Sequence, residues 1–324
     1  SLDGGKTWTP LPTLPYSDAT PFVHEGVTYM FVQPAKWENV SLVKSLDEGE
    51  TWSQPVLLFQ GSYWNCHTGM VIHQNRLYWA LNSGGYQGGT VVIAGDLGQD
   101  LLSSSAWRMS SEAPKPSTPR EVVRGMYPVM LPEWEQWPDD SWLEPNVVLV
   151  QGQIRVMSRT VLDGYATAGL AAVCDLSEDG GKMDLRFTQF YPMPGGQNKF
   201  FILHDEKSGL FWMTANLPAD SQGVVFQWDR IRENKRFAGG PGNDRRFLML
   251  SYSVDALNWF PAGCIANTRD PHQSFMYPAA LVDGEDLVVL SRTSVNGRDQ
   301  HDADLATVHR VRGFRDLAMD LFPR

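Results

Sequence analysis

The chain is poor in cysteine, with only Cys66, Cys174 and Cys264 among 324 residues. They stand far apart and form no Cys-x-x-Cys, which excludes a disulfide framework and a thiolate metal knuckle. Also missing is an uninterrupted apolar run near the roughly 18 residues that a spanning helix needs. Charge is sparse at 20% and leans acidic, 37 Asp and Glu against 27 Lys and Arg, for a net charge of −10. A chain without excess positive charge is not built to neutralise phosphates, so nucleic acid is not an expected partner. The glycine-rich "GGYQGG" at 84–89 lacks the Gly-x-Gly-x-x-Gly order. His-x-x-x-His spacing is absent too. Neither a cofactor nor a metal is expected.

Apolar residues make up 42% of the chain and there are 12 Trp, the composition of a folded globular protein. Helical periodicity is scarce. Instead, pairs of short apolar runs joined by a tight polar turn return five times, at Pro21–Gln33, Gly69–Asn82, Glu144–Thr160, Lys199–Asn216 and Tyr277–Thr293. A third strand follows each pair, as in Ser41–Trp52, Val91–Trp107, Ala171–Phe187 and Leu248–Trp259. A sheet recurring about every 65 residues predicts radial stacking as an all-β propeller. Five blades fill residues 1–324 as one domain, with the N-terminal strand "TWTPLP" closing the last blade. Six blades remain an alternative, because Ser110–Asp140 and Asp220–Arg246 carry no clear pattern; the first reads as a surface loop.

Two octets are nearly identical, "SLDGGKTW" at Ser1–Trp8 and "SLDEGETW" at Ser45–Trp52. Ser177–Gly181 and Ser253–Trp259 echo them. In such a turn the Asp accepts hydrogen bonds from nearby backbone N–H groups, Gly takes positive φ, and the Trp packs beneath. Asp3 and Asp47 are therefore expected to hold turns and not to catalyse.

These octets resemble the Asp-box, or bacterial neuraminidase repeat, of the sialidase-like propellers, and the blade pattern extends this likeness over essentially the whole chain. The resemblance implies boxes at the periphery, activity on glycans by exo-hydrolysis or by lyase chemistry, and a secreted or periplasmic setting. It also implies a functional face built from residues just before the first strand and just after the second strand of each blade. On this sequence that rule selects Asp18, then Trp64, Asn65 and His67, then Trp142, Glu144 and Asn146, then Asn198 and Lys199, and then His272 and Tyr277. After the second strands it selects Lys36, Asn82, Arg159, Asn216 and Arg292, the two arginines within matching "SRT" tripeptides. Arginines bind the substrate carboxylate in sialidases, a Tyr–Glu pair is the nucleophile and a loop Asp the acid/base. Here Arg159 and Arg292, Tyr277 with Glu144, and Asp18 correspond; no third arginine stands at a matching position.

The residues admit this chemistry on their own terms. Glu144 lies between Trp142 and Pro145, where desolvation favours a general acid. Hydrolysis wants a second carboxylate across the bond, for which Asp18 is placed. Paired arginines suit a carboxylate or sulfate, with Lys199 adding positive charge. Asn65, Asn82, Asn216 and His272 would hydrogen-bond a sugar, and Trp64 and Trp142 would stack on its faces. The leading expectation is an exo-acting glycoside hydrolase on a carbohydrate bearing an acidic group. One alternative is a lyase using His67 and Tyr277 on a uronic-acid glycan. Another is a non-catalytic glycan-binding or protein-interaction propeller.

Overall fold

In the computed structural model, the described residues are 1, 3–85, 88–117, 141–161, 169–218, 244–270, 272–297 and 300–319. They form five antiparallel sheets, which are the five blades of a β-propeller. Blade 1 holds β1 (Ser17–His24), β2 (Val27–Gln33), β3 (Val40–Ser45) and β4 (Val56–Phe59). Blade 2 holds β5 (Tyr63–Trp64), β6 (Val71–His73), β7 (Arg76–Ser83), β8 (Thr90–Asp96) and β9 (Trp107–Met109). Blade 3 holds β10 (Trp142–Val150), β11 (Gln153–Thr160), β12 (Leu170–Asp179) and β13 (Lys182–Pro192). Blade 4 holds β14 (Phe200–Asp205), β15 (Leu210–Leu217), β16 (Phe247–Ser253) and β17 (Phe260–Asn267). Blade 5 holds β18 (Ser274–Asp283), β19 (Asp286–Ser294) and β20 (Leu305–Val311). The two unpatterned stretches that suggested a sixth blade lie largely outside the described residues. No helix among the described residues is long and apolar enough to cross a membrane.

Each blade begins with the hairpin that the sequence predicts. The turns Glu25–Gly26, Gln74–Asn75 and Gln151–Gly152 have both residues at positive φ, the mirror-image turn whose twist matches two paired strands. Period-2 alternation then divides each sheet between its two neighbours. On β7, Leu77, Trp79 and Leu81 pack with Phe31 and Leu42 of blade 1. The intervening Tyr78 and Ala80 pack with Trp142, Val156 and Ala172 of blade 3. Trp212 fills the blade 4–blade 5 layer with Leu248, Tyr252 and Phe314.

Both octets form the expected turn, and the echo at Ser253 forms it in part. Asp47 Oδ1 accepts the Thr51 N–H at 2.8 Å, and the Trp52 indole donates to the Gly49 carbonyl at 3.0 Å. Asp3 repeats this with Thr7 and Trp8; Asp255 accepts the Leu257 and Asn258 N–H groups at 2.9 and 2.8 Å, but the Trp259 indole N–H has no partner among the described residues. The echo at Ser177 is instead a plain hairpin, in which Gly180–Gly181 joins β12 to β13. The N-terminal segment runs beside the last blade, where the Gly4 carbonyl accepts from Arg310 at 3.4 Å. Residues 3–16 contain no assigned strand, and Leu14 and Tyr16 lie instead against Met30, Val32 and Val43 of blade 1.

The blades are joined near the axis by amide side chains that bond backbone groups of the next sheet. Gln33 donates to the Tyr63 carbonyl, Asn65 to Pro145, Asn82 to Trp142 and Asn216 to Phe275. Asn146 engages three blades at once. Its Oδ1 accepts the Gly69 N–H at 2.9 Å and the Ile202 N–H at 3.1 Å, while its Nδ2 donates to the Phe200 carbonyl at 3.2 Å. The backbones meet so closely here that a Cβ on Gly69 would stand 2.5 Å from the Ile202 carbonyl oxygen. Asn146→Leu should therefore strand two buried donors and lower the unfolding free energy by about 2–5 kcal/mol. Urea titration measures this. A loss within about 0.5 kcal/mol would place the joint elsewhere.

Candidate active site

Three inner strands carry the same irregularity. In blade 1, Ser17 pairs Gln33 and Thr20 pairs Phe31, so three steps on β1 oppose two on β2. Blade 3 repeats the count between Leu143–Asn146 and Arg159–Met157, and blade 5 between Met276–Ala279 and Arg292–Leu290. The residue set in each bulge is left-handed although it is not glycine: Asp18 at φ 51, Glu144 at φ 53 and Tyr277 at φ 52. Such a bulge bends the strand and re-aims a side chain. A left-handed non-glycine residue costs about 1–2 kcal/mol. The surroundings hold Glu144 in this state: Asn82 accepts its N–H at 3.1 Å, and Asn146 donates to its carbonyl at 3.2 Å.

Charge gathers at these bulges. Glu144 is 1% exposed and its Oε2 lies 3.1 Å from Arg159 Nη1. Its Oε1 is buried with no hydrogen-bond partner among the described residues. Arg159 also donates through Nε to the Gln197 carbonyl at 2.6 Å. Burial works against the Arg159 cation, but Glu144 and Tyr277 outweigh it and hold its pKa above the ordinary value. Two further guanidinium groups lie over the Tyr277 ring, Arg292 at 5.1 Å and Arg245 at 5.6 Å from its centroid. Burial, reinforced by Glu144 and opposed by Arg245 and Arg159, pushes the Tyr277 phenol up to about 12. Its hydroxyl stands 3.4 Å from His301 Nε2. Arg245 is itself pushed down to about 10 by burial and by the charges of Arg159 and Arg292, against the pull of Tyr277 and Glu144.

The other side of the cluster comes from blades 2 and 4. Lys199 is buried, lies 5.3 Å above the Phe201 ring and donates to the Pro278 carbonyl beside Tyr277. Desolvation lowers its pKa, with Cys66 and Glu144 pulling the other way. His67 stacks on Phe201 at 5.4 Å. Its burial, together with Lys199, pushes the imidazole down to about 4, and its Nδ1 has no partner among the described residues. Burial pushes the Cys66 thiol up to about 12; Lys199 opposes this, while Glu144 and Asp18 add to it. Asp18 accepts from Ser17 Oγ at 3.0 Å.

The structure thus brings Glu144, Arg159, Lys199, Tyr277 and Arg292 together, with His67 alongside. Asp18 acts on the cluster through Cys66, and the other expected residues are placed differently. Trp142 is fully buried between Phe187 and Phe190 and offers no face to a sugar. The Asn65, Asn82 and Asn216 side chains are committed to backbone groups. His272 sits in the turn before β18, where its N–H donates to Asp270 and its carbonyl accepts from Ser294. Trp64 is buried against Trp37. Two members of the cluster escape a reading confined to first and second strands. Arg245 stands just before a third strand, signalled only by "DRRF" ahead of an apolar run. Cys66 is a lone cysteine, read only for disulfides and metals.

No protein-family model matches the sequence, and no curated protein matches it. Solved structures do match in fold. A sialidase from Trypanosoma rangeli, solved with 2,3-difluorosialic acid as a covalent intermediate, superposes over 98% of this chain with TM-score 0.59 and 14% identity. The match takes in 49% of that structure, so this chain spans about half its length. An α-L-arabinofuranosidase from Lactobacillus brevis matches over 91% of this chain and 90% of its own, with TM-score 0.51 and 10% identity. An exo-1,5-α-L-arabinanase from a bovine ruminal metagenomic library matches over 91% and 92%, with TM-score 0.50 and 11% identity. The likeness divides between a sialidase, an α-L-arabinofuranosidase and an exo-1,5-α-L-arabinanase; what they share with this chain is the fold, and sialidases are not singled out.

The neutral state of His67 has a testable consequence. Unfolded, the ring regains its ordinary pKa near 6.5; folded, it refuses a proton until about 4. Within that window the unfolded state binds more protons, so stability falls as pH drops from 6.5 towards 4. His67→Phe keeps a flat ring on Phe201 but cannot titrate. Urea midpoints at about pH 7 and about pH 4.5 should show the variant losing less stability than the unsubstituted protein. Equal losses would mean that the ring is not held neutral.

Proposed function

We propose that this chain is an exo-acting glycoside hydrolase for a saccharide carrying an acidic group. The observation that carries the reading is the convergence of Arg159, Arg245 and Arg292 on Tyr277 and Glu144. Planar forks in a desolvated site suit a carboxylate or sulfate, and several of them fix its orientation. With the anion held, the anomeric carbon comes beside the Tyr277 oxygen.

A phenol held near pKa 12 does not ionise by itself at neutral pH. Attack therefore needs a base, and Glu144 is the carboxylate that acts most strongly on the phenol. As the Tyr277 oxygen bonds to the anomeric carbon, its proton passes to Glu144 and the glycosidic C–O bond breaks. Asp18, on a bulge of blade 1, gives its proton to the departing oxygen. Water then attacks the glycosyl–tyrosine, giving a proton to Asp18, while Glu144 returns its proton to the tyrosine oxygen. Covalent chemistry of this kind accords with the intermediate of the Trypanosoma rangeli sialidase. Supporting charge comes from Arg245 and Lys199, which with Arg159 and Arg292 make four cations against the two carboxylates Glu144 and Asp18.

The assay is release of fluorophore from methylumbelliferyl glycosides of sialic acid, glucuronic acid and arabinofuranose. An acidic glycoside should be turned over and the neutral one poorly. Glu144→Gln and Tyr277→Phe should each lower kcat by about 10^2–10^4-fold. Arg245→Met should act through KM, raising it about tenfold or more. Products absorbing as unsaturated uronates would support the lyase alternative. Unchanged binding of acidic saccharides, with no turnover of any of them, would support a binding module.

A further inference from the structure

The turn between β19 and β20 takes no part in the chemistry above, yet it is tied to the cluster at several points. Gln300 Oε1 accepts the Arg245 N–H at 2.7 Å, and the Gln300 carbonyl accepts from Ser274 Oγ at 2.7 Å. The His301 carbonyl accepts from Arg292 Nη2 at 3.2 Å. Asp304 closes the turn. Its N–H donates to the Thr293 carbonyl at 3.1 Å, and its carboxylate accepts the Val295 and Asn296 N–H groups at 2.8 and 3.0 Å. A Cβ on Gly297 would stand 2.0 Å from the Asp302 carbonyl oxygen, so the two arms of the turn lie in contact. Two of the three arginines that converge on Tyr277 are thus anchored in part by Gln300 and His301.

The His301 imidazole faces the phenol itself. Its ring stands edge-on to that of Tyr277, with centroids 5.8 Å apart at 78°, and its Nε2 lies 3.4 Å from the hydroxyl. A guanidinium only donates. Arg159 bears on the phenol by charge and by hydrogen bonding, so it uses a lone pair of that oxygen and leaves the O–H to find an acceptor. Glu144 Oε2 is engaged by Arg159, and its Oε1 has no hydrogen-bond partner among the described residues. The acceptor that faces the hydroxyl is His301 Nε2. At 3.4 Å this bond is long, as catalytic hydrogen bonds often are before a substrate tightens them. Tyr277 lies in the bulge of β18, where the ladder does not pair it. Contacts of its ring and hydroxyl must therefore fix its aim.

We propose that His301 is a positioning residue for Tyr277: its imidazole accepts the resting phenol proton and fixes the oxygen in place, while its carbonyl keeps Arg292 over the ring. During attack the proton still passes to Glu144; His301 sets where the oxygen stands beforehand. The inference rests on the proposed function only in giving Tyr277 the nucleophile's part.

The first readout needs no turnover. Histidine Cε1 resonances are followed by NMR from about pH 5 to about pH 9, and the His301 signal is the one lost in His301→Gln. His301 is exposed, so this substitution leaves the fold alone. The charged and titratable groups about the imidazole are Tyr277 on β18, Arg292 on β19, Arg245 ahead of β16, and Asp302 and Asp304 in the turn. Arg159 and Glu144 lie beyond the phenol. Tyr277→Phe removes the hydroxyl and keeps every other group. A hydrogen bond accepted by Nε2 favours the neutral ring, so its loss should raise the His301 midpoint by about 0.5 unit or more. A midpoint that falls would mean that the ring donates, and an unchanged one that no bond exists; either overturns the proposal.

The second readout is the glycoside assay. His301→Phe keeps an edge-on ring without the nitrogen, and should lower kcat about tenfold or more with KM within about twofold. His301→Gln offers a carboxamide oxygen in its place and should recover most of that loss. Equal losses in the two variants would overturn the positioning role. Absence of turnover in the unsubstituted protein would overturn the hydrolase reading alone, and the NMR titration would still decide the part played by His301.

Discussion

The inner strands of a propeller meet at an axis that they cannot fill, and their unpaired edges there need partners. In this protein amide side chains supply them. Asn146 satisfies groups on blades 2 and 4 from a strand of blade 3, and Asn65 and Thr68 both donate to the Pro145 carbonyl. Neither water nor a further strand has room where Gly69 approaches Ile202 so closely. The side chains that look most like sugar ligands in the sequence are thus consumed in holding the ring shut. Their commitment is what lets Glu144 occupy a left-handed bulge, since Asn82 and Asn146 clamp the peptide groups on either side of its Cα. The frame and the site share the same bonds.

Electrostatics set the second constraint. Around Tyr277 stand four cations, Arg159, Arg245, Arg292 and Lys199, while Glu144 and Asp18 are the carboxylates coupled to this cluster. Three of the cations are buried, and desolvated like charges repel with little screening. An overall charge of −10 therefore conceals a positive centre. Such a cluster is poorly satisfied alone and well satisfied by an anion. On the proposed function, that difference in satisfaction would favour an acidic saccharide over a neutral one.

Blade number and hairpin positions were legible from alternation and turn chemistry. Those features are local, and period 2 survives along a regular strand. Side-chain direction at the axis was not legible, because a bulge breaks the period where it matters. On an unbroken strand Trp142, Glu144 and Asn146 would share one face. The left-handed turn at Glu144 instead leaves Trp142 in the core and Asn146 in the blade joint. Arg245 was illegible for another reason: it stands just before a third strand, and only packing brings it over Tyr277.

The carboxylates of the octet turns clarify what separates a frame residue from a chemical one. Asp3 and Asp47 are fully engaged by neighbouring N–H and hydroxyl groups, chiefly those of Thr7 and Thr51, which hold both near pKa 2. Every oxygen is occupied by the turn's own atoms, so nothing is left with which to meet a ligand. Glu144 has one oxygen on Arg159 and one buried without a partner. A buried polar atom left open is costly, and a fold keeps one only where something else fills the vacancy or uses the strain. The repeated turn is conspicuous because it is complete in itself. The site is inconspicuous in sequence because it is incomplete, and an acidic sugar placed against Glu144 and the three arginines is what would complete it.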